Sequence, residues 1–305
     1  MPQSRKVLLV THTRRDEAVS AAGEALAHLV AAGITPVLPR LEYDELQSAG
    51  LGLTGAEILG EQVATDELEL AMVLGGDGTI LRAAELVRQA QTPLLGVNLG
   101  HVGFLAESER TELADTVHAV QARAYKVKER LAIEVTVVRA GEPVFRSWAL
   151  NESTVERAAA GRMLEVVIEV DRRPLSSFGC DGIVLSTPTG STAHAFSAGG
   201  PVVWPTVEAL LLVPLSAHAL FSRPLVIDPA SLVAVEVLQR STGHGVLWCD
   251  GRRSFDLLPG DRVEVCRSEQ SVRLARISQA PFTDRIVKKF ALPVTGWRGP
   301  DGENQ

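Results

Sequence analysis

Short all-apolar runs alternate with helical-period stretches over the first hundred residues, and beyond about residue 130 the apolar period shortens to two. Residues 7–10 (Val7, Leu8, Leu9, Val10) read as a buried strand. Residues 16–32 carry Val19, Ala22, Leu26, Leu29 and Val30 at helical spacing, and Gly33 supplies a C-cap. Residues 34–38, 68–74 and 93–97 read as further strands, with Gly75-Gly76 ending the second of these. A helix is predicted over 80–89 from Leu81, Ala84, Leu86 and Val87. Strand and helix in alternation imply a parallel sheet covered on both faces. Residues 40–66 are expected to form a surface excursion with one short helix.

In the second half, Ile133, Val135 and Val137 alternate with Glu134 and Thr136. Val166, Ile168 and Val170 repeat the pattern, as do Val233, Val235 and Val237, and then Val263 and Val265. Residues 139–142 form a turn, and 144–150 read as the return strand. Short alternating strands separated by turns predict a sandwich-like all-β domain. A last helix is predicted at 283–290, packing back on the first domain. The expected organisation is an α/β N-terminal domain over 1–126, joined by the C-terminal segment 282–305, and an all-β domain over 127–281.

Composition narrows the classes. Of 305 residues, 46% are apolar, enough for a sizeable core, which excludes wholesale disorder. The net charge of −7 disfavours nucleic-acid binding through phosphate neutralisation. The apolar run 209–215, broken by Pro214, is far short of the roughly 20 residues of a spanning helix. Three cysteines, Cys180, Cys249 and Cys266, none in Cys-x-x-Cys spacing, fit a cytoplasmic protein better than a disulfide or zinc scaffold.

Three glycine-rich segments carry the chemistry. Gly75-Gly76-Asp77-Gly78-Thr79 follows a strand and opens a helix, at the carboxyl end of a parallel strand where open α/β sheets bind ligands. Glycines admit a phosphate close to the backbone, and a helix start offers unpaired N–H groups. Asp77 would repel a phosphate unless it takes a proton from a hydroxyl or holds a metal ion; the plain alternative is an N-cap. The second segment, 98–105, brings Asn98, a candidate for phosphate or ribose, and His101, which reads better as a structural hydrogen-bonder. The third, 186–201, holds five hydroxyl residues in seven positions (Ser186, Thr187, Thr189, Ser191, Thr192). They suit a polyhydroxylated or phosphorylated ligand, or a loop capping a helix from about 191 to 198. Asn151-Glu152 and Asp181-Gly182 place further polar groups at strand ends. No Gly-x-x-x-x-Gly-Lys-[Ser/Thr] occurs, no Gly-x-Gly-x-x-Gly opens a βαβ unit, and no Gly-x-Ser-x-Gly elbow is present. P-loop phosphotransferases, Rossmann oxidoreductases and α/β-hydrolases are therefore disfavoured.

In this order, from about residue 70 to the C-terminus, the segments resemble the NAD kinases, whose first motif is shared with diacylglycerol and sphingosine kinases. Trp204-Pro205, the stretch 217–221 and Cys249-Asp250-Gly251-Arg252-Arg253 look most like the actinobacterial branch. The resemblance implies the NAD kinase/diacylglycerol kinase-like two-domain fold, with 127–281 binding the dinucleotide. It implies transfer of the γ-phosphoryl of ATP, or of polyphosphate, to the 2′-hydroxyl of the adenosine ribose of NAD. Asp77 then matches the proton acceptor, with Gly75, Gly76, Gly78, Thr79 and Arg82 around it and Asn98 on the neighbouring loop. Asn151 and Glu152 match the pair gripping the adenosine half, Arg162 a dinucleotide contact, and Asp181 an acidic position near the nicotinamide end. Thr192, Ala193, His194, Ala195, Phe196 and Ser197 match the adenosine-contacting stretch, and Thr189, Gly190 and Ser191 before them match substrate- or nucleotide-binding positions. The resemblance also implies a divalent cation, most simply Mg²⁺, accompanying ATP, and a homo-dimer or homo-tetramer.

Two positions vary from the family pattern. His194 stands where the family carries Tyr, so a phenol contact is replaced by an imidazole. Gly179, two residues before Asp181, leaves room near the nicotinamide end. A lipid kinase would need an apolar cleft in place of the hydroxyl-rich segment, and a non-catalytic dinucleotide sensor would not need Asp77.

Overall fold

The computed structural model describes residues 5–100, 103–106, 108–109, 112–159, 162–278 and 280–294. These fall into two compact units, one within Met1–Glu129 and Arg273–Gln305 and the other within Arg130–Val272.

The first unit is built on β1 (Lys6–Thr11), α1 (Asp16–Ala31), β2 (Thr35–Leu38), α2 (Arg40–Ser48), β3 (Glu57–Ile58), β4 (Leu70–Leu74), α3 (Asp77–Val87), β5 (Leu94–Asn98), β6 (Ser108–Glu109), α4 (Leu113–Gln121) and β7 (Lys126–Arg130). Its sheet runs β3-β2-β1-β4-β5, and all of these pairings are parallel. Residues Val7 to Val10 and Leu70 to Leu74 are buried throughout because helices cover both faces, which is why these strands read as unbroken apolar runs. The chain winds outward from β1 to β3 and then restarts on the other side at β4. That reversal leaves a crevice at the carboxyl ends of β1 and β4.

Gly50, Gly52 and Gly55 do stand at Gly-x-Gly-x-x-Gly spacing. They follow α2 and lead into the two-residue β3, so they do not form the strand-to-helix turn that a dinucleotide fingerprint needs.

Among its described residues the second unit is all-β apart from one short α-helix and a 3₁₀ turn. It contains β8 (Ile133–Arg139), β9 (Glu142–Ala149), β10 (Glu152–Arg157), β11 (Leu164–Val170), β12 (Arg173–Cys180), β13 (Gly182–Ser186), α5 (His194–Ser197), β14 (Leu210–Leu215), β15 (Leu225–Ile227), β16 (Val233–Val237), β17 (Gly245–Cys249), β18 (Arg253–Leu257) and β19 (Arg262–Arg267). Two six-stranded antiparallel sheets, β12-β11-β16-β19-β8-β9 and β15-β14-β13-β10-β17-β18, share one core. The alternating residues Ile133, Val135, Val137, Val166, Ile168, Val233, Val235, Val237, Val263 and Val265 all point into it. On β13 both faces are covered, since Val184 and Val213 also pack against Ala195 of α5.

The chain then returns to the first unit. β20 (Val272–Arg276), expected within the 127–281 segment, pairs in parallel with β5, and α6 (Phe282–Phe290) follows it. Its sequence Val-Arg-Leu-Ala-Arg alternates like the antiparallel strands that precede it in the chain, so its pattern alone does not reveal which sheet it joins.

Candidate functional site

In the first unit, Gly75 and Gly76 turn the chain from β4 into α3. Gly75 has φ +156°, and a β-carbon there would lie 2.5 Å from Thr79 Oγ1, so only glycine fits. The helix begins at Asp77, three residues earlier than the periodicity predicted, which puts Asp77, Gly78 and Thr79 in its first turn. The following segment comes back over this turn. Phe104 N–H donates to Asp77 Oδ2 at 3.1 Å and Leu105 N–H to Asp77 Oδ1 at 3.0 Å. A β-carbon on Gly103 would meet Asp77 Oδ1 at 2.4 Å, so this close approach also requires glycine. A carboxylate has about four lone-pair sites. Two are used here, which orients the group and leaves one on each oxygen for a proton.

Arg82, one turn along α3, does not face open solvent. Its guanidinium donates to Thr11 O at 2.6 Å and pairs with Glu42 at 2.7 Å, while Glu42 also accepts the Thr11 N–H at 2.7 Å. Burial pushes the Glu42 carboxyl up to about 7 against the pull of Thr11 N–H and Arg82. Buried Thr11 and Glu42 and half-buried Arg82 close the end of β1 beside the glycine turn, and periodicity gave no hint of Glu42. Asn98 ends β5 and accepts the Gly100 N–H at 3.3 Å. His101 lies outside the described residues.

In the second unit, antiparallel pairing sets Glu152 opposite Ser186 and Ser153 opposite Cys249. Asn151, Glu152, Ser186 and Asp250 therefore meet at one sheet end. Asp250 is the hub. Its buried carboxylate accepts N–H groups from Leu150 at 2.9 Å, Asn151 at 2.7 Å and Glu152 at 3.4 Å, and pairs with Arg253 at 3.0 Å. Burial raises the Asp250 carboxyl and these donors oppose it. Asp250 is 100 residues from Leu150, and an Asp-Gly after a strand reads only as a turn.

Glu152 is 9% exposed. Burial, then the neighbouring Asp250, push its carboxyl up to about 8, against a backbone N–H from His194. Its Oε2 has no hydrogen-bond partner among the described residues. It lines a half-open cleft of about 280 Å³ with Thr154, Glu156, His194, Trp248 and Gly251. A protonated carboxyl there offers a donor to a bound hydroxyl or ring nitrogen.

The hydroxyls of the third segment bond mostly to backbone groups of this unit. Thr187 Oγ1 donates to Leu150 O at 2.6 Å, and Ser186 Oγ lies 3.1 Å from Asn151 O. Ser191 Oγ donates to Pro188 O at 2.7 Å and accepts from Val203 N–H at 2.9 Å. Ser191 is fully buried, so its side chain shapes the loop from within. Thr192 Oγ1 donates to Thr189 O at 3.3 Å. The expected helix over 191–198 is instead a 3₁₀ turn at Gly190–Thr192 and the short α5, separated by Ala193 at φ −105°, ψ −125°. The Ser191 bonds to both strands of the loop hold this break. Gly190 packs so tightly that a β-carbon would lie 2.1 Å from Asn151 O. His194 opens α5 beside Glu152, Ala195 is buried beneath it, Phe196 is 40% exposed, and Ser197 faces solvent.

The other expected contacts are tied down locally. Asp181 pairs with Arg157 Nε at 2.7 Å, and Arg162 donates to Thr242 O at 2.9 Å. Among the described residues, no three His, Cys, Asp or Glu side chains gather as a metal cage. No described helix is long and apolar enough to cross a membrane.

Comparison with known proteins shows the family. Residues 7–125 match the ATP-NAD kinase N-terminal domain and residues 150–277 the ATP-NAD kinase C-terminal domain. The chain is 60% identical to the NAD kinase of Leifsonia xyli subsp. xyli over the whole of both chains. It is 57% identical to that of Thermobifida fusca, over 98% of this chain and 93% of the relative. In fold it is similar to yeast NADH kinase complexed with NADH, with a TM-score of 0.84 at 23% identity over 95% of this chain and 89% of that one. It is also similar to an NAD kinase from Archaeoglobus fulgidus in complex with ATP, with a TM-score of 0.65 at 24% identity over 94% and 98%. Two family domains in sequence and relatives matched end to end lead to one conclusion: this chain is an enzyme of the NAD kinase family.

Proposed function

We propose that the chain transfers the γ-phosphoryl group of ATP to the 2′-hydroxyl of the adenosine ribose of NAD, giving NADP and ADP. The observation that carries this reading is Asp77, a carboxylate fixed by two backbone donors in the first turn of α3, beside a turn that only glycine can make. As the ribose oxygen bonds to the γ-phosphorus, the bond from phosphorus to the β–γ bridging oxygen breaks, and ADP leaves with that electron pair. Asp77 takes the hydroxyl proton. Open N–H groups at the start of α3 and the side-chain-free Gly75, Gly76 and Gly78, with Thr79, suit the phosphates. Phosphoryl transfer depends mainly on positioning and charge neutralisation, so a rigid base and a preformed phosphate turn are the parts it needs.

In the second unit, Asn151 and Glu152 take the adenosine half, with the protonated Glu152 donating. His194 and the exposed parts of 189–197 line the same contact. Arg162 and Asp181 serve the rest of the dinucleotide. The divalent cation, most simply Mg²⁺, enters with the triphosphate as part of the substrate. Inorganic polyphosphate is a second donor on the same chemistry. We assign the protein to the cytoplasm and to a homo-dimer or homo-tetramer, for which light scattering on the purified protein gives the mass.

Incubating the purified protein with NAD, ATP and Mg²⁺, and reading product with an NADP-specific dehydrogenase, tests the reaction. NADP that appears only when all three are present supports it. NAD binding without turnover would make the protein a sensor instead.

A further inference from the structure

We propose that Arg285, supported by Phe282 and Phe290 on α6, is a positioning residue for Asp77. The inference rests on Asp77 being the proton acceptor. Along α6, Phe282, Arg285, Ile286, Val287 and Phe290 are half-buried, while Thr283, Asp284, Lys288 and Lys289 are exposed. Phe104 is the contact. Its ring lies 6.0 Å from that of Phe282 and 5.8 Å from that of Phe290, at tilted angles of 44° and 49°, within the range where aromatic pairs attract. Its carbonyl accepts from Arg285 Nη1 at 2.7 Å. Its own N–H, and that of Leu105, are the two donors to Asp77.

The helix thus grips by ring and carbonyl the one peptide segment whose N–H groups aim the carboxylate. Arg285 and Phe104 are 181 residues apart in the chain, so only the fold brings them together. A charge-assisted bond to the Phe104 carbonyl also polarises the adjoining peptide, since linked hydrogen bonds strengthen one another. Without the grip, the 103–105 segment gains freedom, and the carboxylate samples orientations that do not face a substrate hydroxyl. A small misplacement of a reacting group is enough to slow transfer.

The test uses full-length Arg285→Ala, Arg285→Lys and Phe290→Leu, with Asp77→Asn as reference. It reads kcat, both KM values, and amide hydrogen exchange at residues 104 and 105. The expected result for Arg285→Ala is a kcat loss of about tenfold, the scale of one charge-assisted bond. KM for NAD and for ATP should stay within about twofold of wild type, while exchange at 104 and 105 accelerates. Arg285→Lys, which still donates to the carbonyl, should recover most of both. In an Asp77→Asn background, Arg285→Ala should cost almost nothing further, because the two act as one unit. Wild-type kcat with unchanged exchange, or a loss that multiplies with that of Asp77→Asn, overturns the proposal. If Arg285→Ala does not fold, Phe290→Leu takes its place: a kcat loss at constant KM supports positioning, and a change confined to KM overturns it. Wild-type turnover in Asp77→Asn would instead remove the proton-acceptor reading, and the exchange rates would still decide whether α6 holds the segment.

Discussion

Glu152 and Asp250 are joined by two hydrogen bonds, with the Asp250 N–H donating to Glu152 O at 2.9 Å and the Glu152 N–H donating to the Asp250 carboxylate Oδ1 at 3.4 Å. Two buried carboxyls consequently share one sheet end. Asp250 has the donors, and Glu152, raised from 4.5 to about 8, keeps its proton. Between these values the folded chain holds a proton that the unfolded chain has released. This contribution to stability is full below about pH 4.5 and drains as pH rises through about 8, at up to about 1.4 kcal/mol per pH unit inside the window. Thermal unfolding from pH 5 to pH 9 should show a steeper decline for wild type than for Glu152→Gln, which has no proton to lose. Parallel profiles would mean that Glu152 is ionised throughout.

Asp250→Ala frees the buried N–H groups of Leu150, Asn151 and Glu152 and removes one partner of Arg253, which keeps Ser147 Oγ and the Trp148 ring. Each unmade buried bond costs about 1–3 kcal/mol, so a loss of at least about 3 kcal/mol in urea unfolding is expected. A variant within 1 kcal/mol of wild type would show that water replaces the carboxylate.

Asp77→Asn is expected to lower kcat by roughly 10²–10⁴, the contribution of a positioned base, with modest change in NAD affinity. Its amide also turns an –NH₂ toward one of the N–H donors of 104 and 105. Gly103→Ala is the complementary change: it keeps the carboxylate but drives a β-carbon to 2.4 Å from Oδ1. A fall in kcat for both, measured in the coupled assay with folding verified by circular dichroism, supports a precisely held base. Full turnover in either variant counts against it.

Replacing Asn151 or Glu152 with Ala removes polar partners from the proposed adenosine contact, at about 1–3 kcal/mol each. Apparent NAD affinity should weaken more than ATP affinity in initial-rate measurements. Equal weakening would assign both residues to the loop scaffold, where the Asn151 backbone already binds Ser186 and Thr187.

Gly179 lies on β12, and its carbonyl accepts the His218 N–H at 2.9 Å. A β-carbon there meets only the tip of the Met163 side chain, which is 41% exposed and able to swing away. Gly179→Arg should therefore fold. Steric exclusion near the nicotinamide end should reduce NADH use more than NAD⁺ use, whereas charge repulsion would disfavour NAD⁺. Steady-state kcat/KM for both dinucleotides decides between shape and charge, and no NADH use by wild type would remove the premise.

Much of this molecule is written in local pattern. Apolar runs at 7–10 and 70–74 mark strands covered on both faces, and the alternation at 133–137, 166–170, 233–237 and 263–265 marks strands covered on one. Gly75-Gly76-Asp77 announces a strand-to-helix turn because glycine is the residue that such a turn demands. These features depend on neighbours within a few positions, so sequence alone carries them. What the sequence could not disclose depends on residues far apart in the chain: Asp250 under Leu150 and Asn151, Glu42 against Arg82, β20 beside β5, Arg285 on Phe104. The hydroxyls of 186–192 show the same limit, since composition offers them equally to a ligand or to the loop. Only the packed structure decides, because a buried hydroxyl must find its partner inside: Ser186 and Thr187 find theirs on the carbonyls of Asn151 and Leu150, and Ser191 on that of Pro188.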